Sequence, residues 1–180
     1  YELFVGPPEM DCDWDDSGID GVFRFLNRVW KLVYNNKDLS ITPSKEMEYL
    51  RNKMISDITK RLEALTMNTV VSGFMESTNH IIDLGKKEGG VDRQTLETLV
   101  ILLAPFAPHI AEELWKELGH AESVFAAGWP QVDESKLVQQ TIEIALQVSG
   151  KFRETMMIDA NAEKDAVLAK AKEVLASRLE

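Results

Sequence analysis

Apolar residues recur at helical spacing through the first two thirds of the chain and switch to strict alternation near residue 141. Val22, Phe23, Leu26, Val29, Trp30 and Val33 make the first apolar stripe and predict a helix over about 18–35, with Ser17 as N-cap and Asp20 at the capping-box position. Arg24, Arg28 and Lys31 fall at i, i+4 and i+7, so they share another face of that helix. Thr42-Pro43 predicts the opening of a second helix, because proline is favoured at the first helical position. Met47, Leu50, Met54, Ile58 and Leu62 mark its buried side, and a break is expected near Ala64–Thr66. A third helix carries Met67, Val71, Phe74, Thr78 and Ile81 and stops at Gly89-Gly90. Asp92 caps a fourth, whose end, Leu99-Val100-Ile101-Leu102-Leu103, is apolar all round and so belongs in the middle of a bundle. Pro105 and Pro108 break it, and a fifth helix runs from about Pro108 to Leu118 with Gly119 as its C-cap.

Beyond Gly119 the period changes. Ile142, Ile144, Leu146 and Val148 alternate with Thr141, Glu143, Ala145 and Gln147, the pattern of a half-buried strand. Ser149-Gly150 is a two-residue hairpin signal, and Phe152, Met156 and Ile158 continue on a returning strand. A helix from about Ala162 follows, with Val167, Ala171, Val174 and Leu175 on one side. The predicted fold class is therefore mainly α: an antiparallel helical bundle followed by a truncated ββα unit. The expected organisation is a linker at 1–16, the bundle at 17–121, a connecting loop at 122–138 and an incomplete C-terminal unit at 139–180. Two strands and one helix bury little surface alone. That, with a helical pattern running to Glu180, predicts a piece of a larger protein.

Composition narrows the function classes. The chain has 180 residues, 44% of them apolar and 28% charged, a globular balance. No apolar run reaches the ~20 residues of a membrane helix, and the amino terminus carries no signal-peptide pattern. The single cysteine, Cys12, excludes an internal disulfide framework, and a cytoplasmic setting is expected. Net charge is −10, from 20 Lys+Arg against 30 Asp+Glu. That opposes general nucleic-acid binding, which draws on Lys and Arg at phosphates, so any RNA contact must come from local basic stripes.

Candidate chemistry is thin. Asp13, Asp15, Ser17 and Gly18 imitate an EF-hand loop, but the bidentate Glu expected at its twelfth position is Arg24, a cation. His109 and Glu112 share a helix without the second histidine of a zinc-protease motif. Gly89-Gly90 lacks the Lys-Ser or Lys-Thr of a phosphate loop. Cys12 sits among carboxylates, which dull a thiol. No catalytic residues, no metal site and no cofactor of its own are expected for this chain.

Two segments are nevertheless distinctive. Phe23-Arg24-Phe25-Leu26-Asn27-Arg28-Val29-Trp30, after Trp14-Asp15-Asp16-Ser17-Gly18, is similar to the first bundle helix of class I aminoacyl-tRNA synthetases. Leu103-Ala104-Pro105-Phe106-Ala107-Pro108-His109-Ile110-Ala111-Glu112-Glu113-Leu114-Trp115 resembles the proline-broken segment of their anticodon-binding domain. Met67-Asn68-Thr69 and Met75-Glu76-Ser77-Thr78-Asn79 match the third-helix pattern. These features are common to the leucine, isoleucine, valine and methionine enzymes. The tail, Gly128-Trp129-Pro130, the alternating strand and Ser149-Gly150-Lys151-Phe152-Arg153, resembles the bacterial-type leucyl-tRNA synthetases, with Ser149 where Asn is usual.

The resemblance implies a parent that joins leucine to tRNA(Leu) with ATP and Mg, and a chain that positions the tRNA. The family's His-Ile-Gly-His and Lys-Met-Ser-Lys-Ser signatures are absent from this sequence. The implied partners are tRNA(Leu) and the catalytic and editing domains of the parent, with neither a membrane nor DNA among them. Contacts of this kind go to the RNA backbone, which asks for Arg and Lys on a rigid surface. Arg24, Arg28 and Lys31 form one candidate stripe, and Lys151 and Arg153, two apart on one strand, form a second. The alternatives are the bundle of an isoleucyl-, valyl- or methionyl-tRNA synthetase, or a non-enzymatic helical interaction module responsive to calcium through Asp13–Gly18. A solvated charged face, with Arg24 pairing to Asp20, is the plain alternative for the first stripe.

Overall fold

The computed structural model describes residues 1–7, 9–11, 13–137, 141–148, 151–159 and 162–176. Cys12, Pro8 and the hairpin turn at Ser149-Gly150 lie outside the described residues. The chain forms two compact units, Tyr1–Leu137 and Val138–Glu180.

The first unit is helical: α1 (Glu2–Val5), α2 (Ile19–Asn36), α3 (Lys45–Glu63), α4 (Met67–Glu88), α5 (Arg93–Leu103) and α6 (Pro108–Glu117). Val29, Met54, Ile58, Phe74, Leu99 and Leu103 are among the side chains that close its core. The all-apolar end of α5 is buried at Leu99, Val100, Leu102 and Leu103, the central position its pattern predicts. Phe106, just past the helix, packs edge-on against Phe74 at 5.5 Å between ring centres. Pro108 starts α6, and Asp92 caps α5 by accepting the Thr95 N–H at 3.1 Å.

Three expectations are corrected. Ser17 does not cap α2. Asp15 accepts both the Ser17 N–H (2.9 Å) and its hydroxyl (2.7 Å), which folds Asp16–Gly18 into a 3-10 turn and starts α2 at Ile19. Thr42-Pro43 does not open α3. Ser44 is the N-cap, accepting from the Met47 N–H at 3.0 Å, because a hydroxyl can satisfy an orphan amide and a proline ring cannot. Phe23 is not on the buried stripe of α2 but 64% exposed. Phe25 and Leu32 are buried instead, with Val29 and Val33, as the i, i+4, i+7 relation of 25, 29 and 32 allows. The stretch 1–16, expected as linker, also carries α1, which packs against α4.

Residues 123–126 pack on α5 and α6, and residues 129–136 run along α3. Trp129 donates its indole N–H to Thr59 Oγ1 (2.9 Å), the Asp133 N–H donates to Asn52 Oδ1 (2.8 Å), and Lys136 pairs with Glu48 at 2.7 Å.

The second unit pairs β1 (Thr141–Val148) with β2 (Lys151–Asp159), antiparallel, and adds α7 (Lys164–Ala176). Leu146, Met156 and Ile158 are buried against Val167, Ala171, Val174 and Leu175 of α7. The ladder is irregular: Leu146 lies opposite Glu154, but Gln147 lies opposite Phe152, so Arg153 is an inserted residue in β2.

Candidate nucleic-acid interface

α2 is amphipathic. Its inner face goes into the bundle core through Phe25, Val29, Leu32 and Val33, which fixes the outer face rigidly. Arg24, Arg28 and Lys31 are all exposed there. At 3.6 residues per turn they fall within about 60° of arc. Among the described residues none of the three joins an ion pair, and Arg24 makes none to Asp20. Several other cations of the unit are engaged. Lys37 binds Glu117 at 2.5 Å and lies 4.2 Å from the Tyr34 ring centre. Arg93 bonds Glu97 and the Leu118 carbonyl. Arg51 is buried beside Asp92.

Two members of the stripe also wall a groove. Arg28, Lys31 and Asn35 of α2 face Ile82, Lys86 and the Gly89–Val91 turn at the end of α4 across a space of about 500 Å³. Lys86 and its neighbour Asp83 pair at 2.9 Å, both about two-thirds exposed, and the ammonium holds the Asp83 carboxyl below the usual carboxylate range. The sequence pattern missed Lys86, because only tertiary packing brings the last turn of α4 beside the middle of α2. Its one local signal is Lys86-Lys87 just before a glycine helix stop.

The second candidate pair spans the irregularity in the ladder. Residues two apart on a regular strand share a face, but the inserted Arg153 interrupts that alternation between Lys151 and Glu154. Arg153 is exposed; the side chain of Lys151 lies outside the described residues.

The acidic loop is organised by its own hydrogen bonds. Asp15 is held by Ser17, which lowers its pKa, and Asp16 accepts the Trp14 indole N–H at 2.6 Å. Among the described residues no three His, Cys, Asp or Glu side chains are gathered as a metal site. His109 is exposed at the start of α6.

Residues 44–168 match the family model described as the anticodon-binding domain of tRNA ligase. The chain belongs to that family. Relatives of this anticodon-binding domain include the leucine–tRNA ligase of Rippkaea orientalis, 43% identical across 96% of the chain and 22% of the relative. That of Chlorobaculum tepidum is 41% identical across 97% and 22%. A leucyl-tRNA synthetase of Agrobacterium radiobacter, crystallised in a ternary complex with tRNA and LeuAMS, superposes with a TM-score of 0.74 and 30% identity over 97% of the chain and 25% of its own. The chain thus spans about a fifth of the length of the curated relatives it matches. The matched span contains Lys86, Lys151 and Arg153 of this anticodon-binding domain, whereas Arg24, Arg28 and Lys31 precede it. Among the described residues no helix is long and apolar enough to cross a membrane.

Proposed function

We propose that this domain is the tRNA-positioning part of a leucine–tRNA ligase and that it holds tRNA(Leu) by its backbone through Arg24, Arg28 and Lys31 on α2 and through Lys151 and Arg153 on β2. The observation that carries this reading is the 30% identical match, over nearly the whole chain, to a leucyl-tRNA synthetase in complex with tRNA. A rigid helix with three cations in one arc, none in an ion pair among the described residues, is suited to phosphates and indifferent to base identity. ATP and Mg are then used by the ligase's catalytic domain, and the ligase works in the cytoplasm. The bundle orients the RNA, with the catalytic and editing domains acting on its acceptor end.

The chain alone is expected to bind tRNA(Leu) with a Kd of about 10⁻⁵ M, the non-specific regime, since its charge of −10 opposes RNA. An anisotropy titration measures this; nanomolar affinity at physiological salt contradicts it. In the intact ligase, the combined Arg24→Ala, Arg28→Ala and Lys31→Ala variant should raise KM for tRNA roughly tenfold, about 1.4 kcal/mol. Leucine activation, followed by ATP–pyrophosphate exchange, should be unchanged. An unaltered KM removes these three residues from the interface.

A further inference from the structure

We propose that the groove between α2 and the end of α4 is a seat for a sugar–phosphate unit of an RNA strand, with Lys86 as a phosphate ligand beside Arg28 and Lys31. The proposal rests on the tRNA-binding reading above and adds a site and a residue to it. Its starting point is charge. The chain carries three carboxylates for every two cations, yet the groove is lined by Arg28, Lys31 and Lys86 and by no carboxylate. A wall whose charged residues are all cations, on so acidic a molecule, favours an anion there.

The remaining lining says which anion. The floor is apolar, with Leu32 and Val91 buried and Ile82 half-buried, so it suits a ligand with a neutral, partly apolar body as well as a charge. A ribose with its phosphodiester has both. The space, about 500 Å³, falls in the range of small-molecule sites and takes one such unit with room to spare. The backbone amides at the turn are already used: the Gly90 N–H donates to the Gly85 carbonyl and the Val91 N–H to Asn36 Oδ1. Binding therefore falls to the side chains, which suits a contact that ignores sequence.

Two features oppose an anion here. The C-terminal end of a helix is the negative end of its dipole, and Asp83 already holds Lys86. The pair with Asp83 is an exposed i, i+3 contact of the kind that solvent and salt weaken, so an entering phosphate can take Lys86 from it. Three cations converging from two helices outweigh one dipole end. An acidic peptide is the other polyanion a cation-lined groove could hold. RNA is favoured because the same side of α2 continues to Arg24, which gives the next phosphate along a strand a partner.

The test is anisotropy of labelled tRNA(Leu) transcript against the 180-residue chain over a series of salt concentrations, with Lys86→Gln, Lys86→Glu and Arg24→Gln variants. Lys53→Gln, on the exposed face of α3 away from the groove, is the charge control, and circular dichroism confirms folding. Lys86→Glu is expected to weaken binding about tenfold, Lys86→Gln about threefold, and both should lower the slope of log affinity against log salt by about one, the signature of one lost phosphate contact. Lys53→Gln should leave the slope unchanged. If the Lys86 variants match the unaltered chain while Arg24→Gln weakens binding, the groove is overturned and the tRNA-facing helix stands. If the unaltered chain shows no saturable tRNA binding, both fall. If a polyglutamate peptide binds in a Lys86-dependent way and tRNA does not, the groove serves an acidic peptide and the proposal is overturned.

Discussion

At the scale of single residues, the most consequential contact in the bundle is also the least visible in its apolar pattern. Arg51 of α3 and Asp92, the cap of α5, are both buried and meet at 3.3 Å. Asp92 does two jobs there. One carboxylate oxygen caps the Thr95 N–H and faces Arg51, while the other accepts the Thr95 hydroxyl at 2.6 Å. Removing one partner of a buried pair costs more than the pair contributes, because the survivor keeps its charge without water. Asp92→Ala strips the cap and strands the guanidinium, so it should destabilise the chain by about 3–5 kcal/mol. Arg51→Met keeps the cap and fills the volume but strands the Asp92 carboxylate, so it should also destabilise the chain, by less than Asp92→Ala because the cap survives. Urea unfolding monitored by tryptophan fluorescence measures both; a negligible loss for Arg51→Met would mean that Arg51 contributes by packing alone. Asp92 was legible in the sequence as a helix cap, since capping is local. Its partner was not, because Arg51 sits in an ordinary helical stretch and burial of a charge is decided by what folds over it.

At the scale of elements, the helices read well where periodicity and capping agree and badly where two cap signals compete. At Ala64–Thr66 no residue that disfavours continuation is present and Leu65 turns left-handed (φ 55°), whereas the glycine stop of α4 and the proline break before α6 depend on such residues. The start of α2 does not: Asp15, Asp16 and Ser17 can each cap, and Asp15 wins by holding two hydrogen-bond donors of Ser17. Phe23 was misplaced for a related reason. Eight apolar residues in the twelve positions 22–33 leave the stripe's centre open, and only the packing partners fix it at Phe25, Val29 and Leu32. The Gly89-Gly90 stop separates two costs. Gly89 is left-handed (φ 82°) with open space around it, so Gly89→Ala should cost about 1 kcal/mol. At Gly90, also at positive φ, an added Cβ would lie 2.7 Å from Leu39 Cδ1 and 3.1 Å from Asn36 Oδ1 and Ile41 Cγ1. Gly90→Ala should therefore lower the urea midpoint clearly more than Gly89→Ala, and the reverse order would show that the loop after α2 yields easily. The strap along α3 carries a pH signature. Hydrogen bonds from Ser135 lower the Asp133 pKa, so its contribution is complete above the unfolded value of ~3.9 and fades as pH falls through the lower folded value. Protection factors of the 133–137 amides, taken relative to intrinsic exchange at each pH, should fall on acidification below pH 4 and not between pH 8 and 5.

At the scale of the whole molecule, the sequence announced two regimes of period, and the two units differ in how much holds them. The bundle buries side chains from five long helices around one core. Among the described residues, the unit from Val138 onward has three buried apolar residues, Leu146, Met156 and Ile158, covered by one helix. A two-stranded sheet with so small a core is marginal in water, and the insertion at Arg153 removes regular ladder pairing near the turn. Neither the insertion nor the groove wall was legible beforehand, since strand alternation does not reveal register and a lysine's distance from another helix is not written locally. The functional consequence concerns order. The proposed backbone-reading surface on α2 is preformed, because four buried side chains anchor that helix, whereas the β2 cations sit on an element with a small core. Binding through α2 then needs no folding step, while binding through β2 must also stabilise its hairpin. Native-state hydrogen exchange on the 180-residue chain tests the premise. Amides of β1 and β2 should open at least about 2 kcal/mol below those of α3 and α5, and tRNA(Leu) at saturating concentration should narrow that gap. Equal protection in the two units without RNA would show that the hairpin's contacts are sufficient alone, and the predicted difference between the two basic sites would disappear.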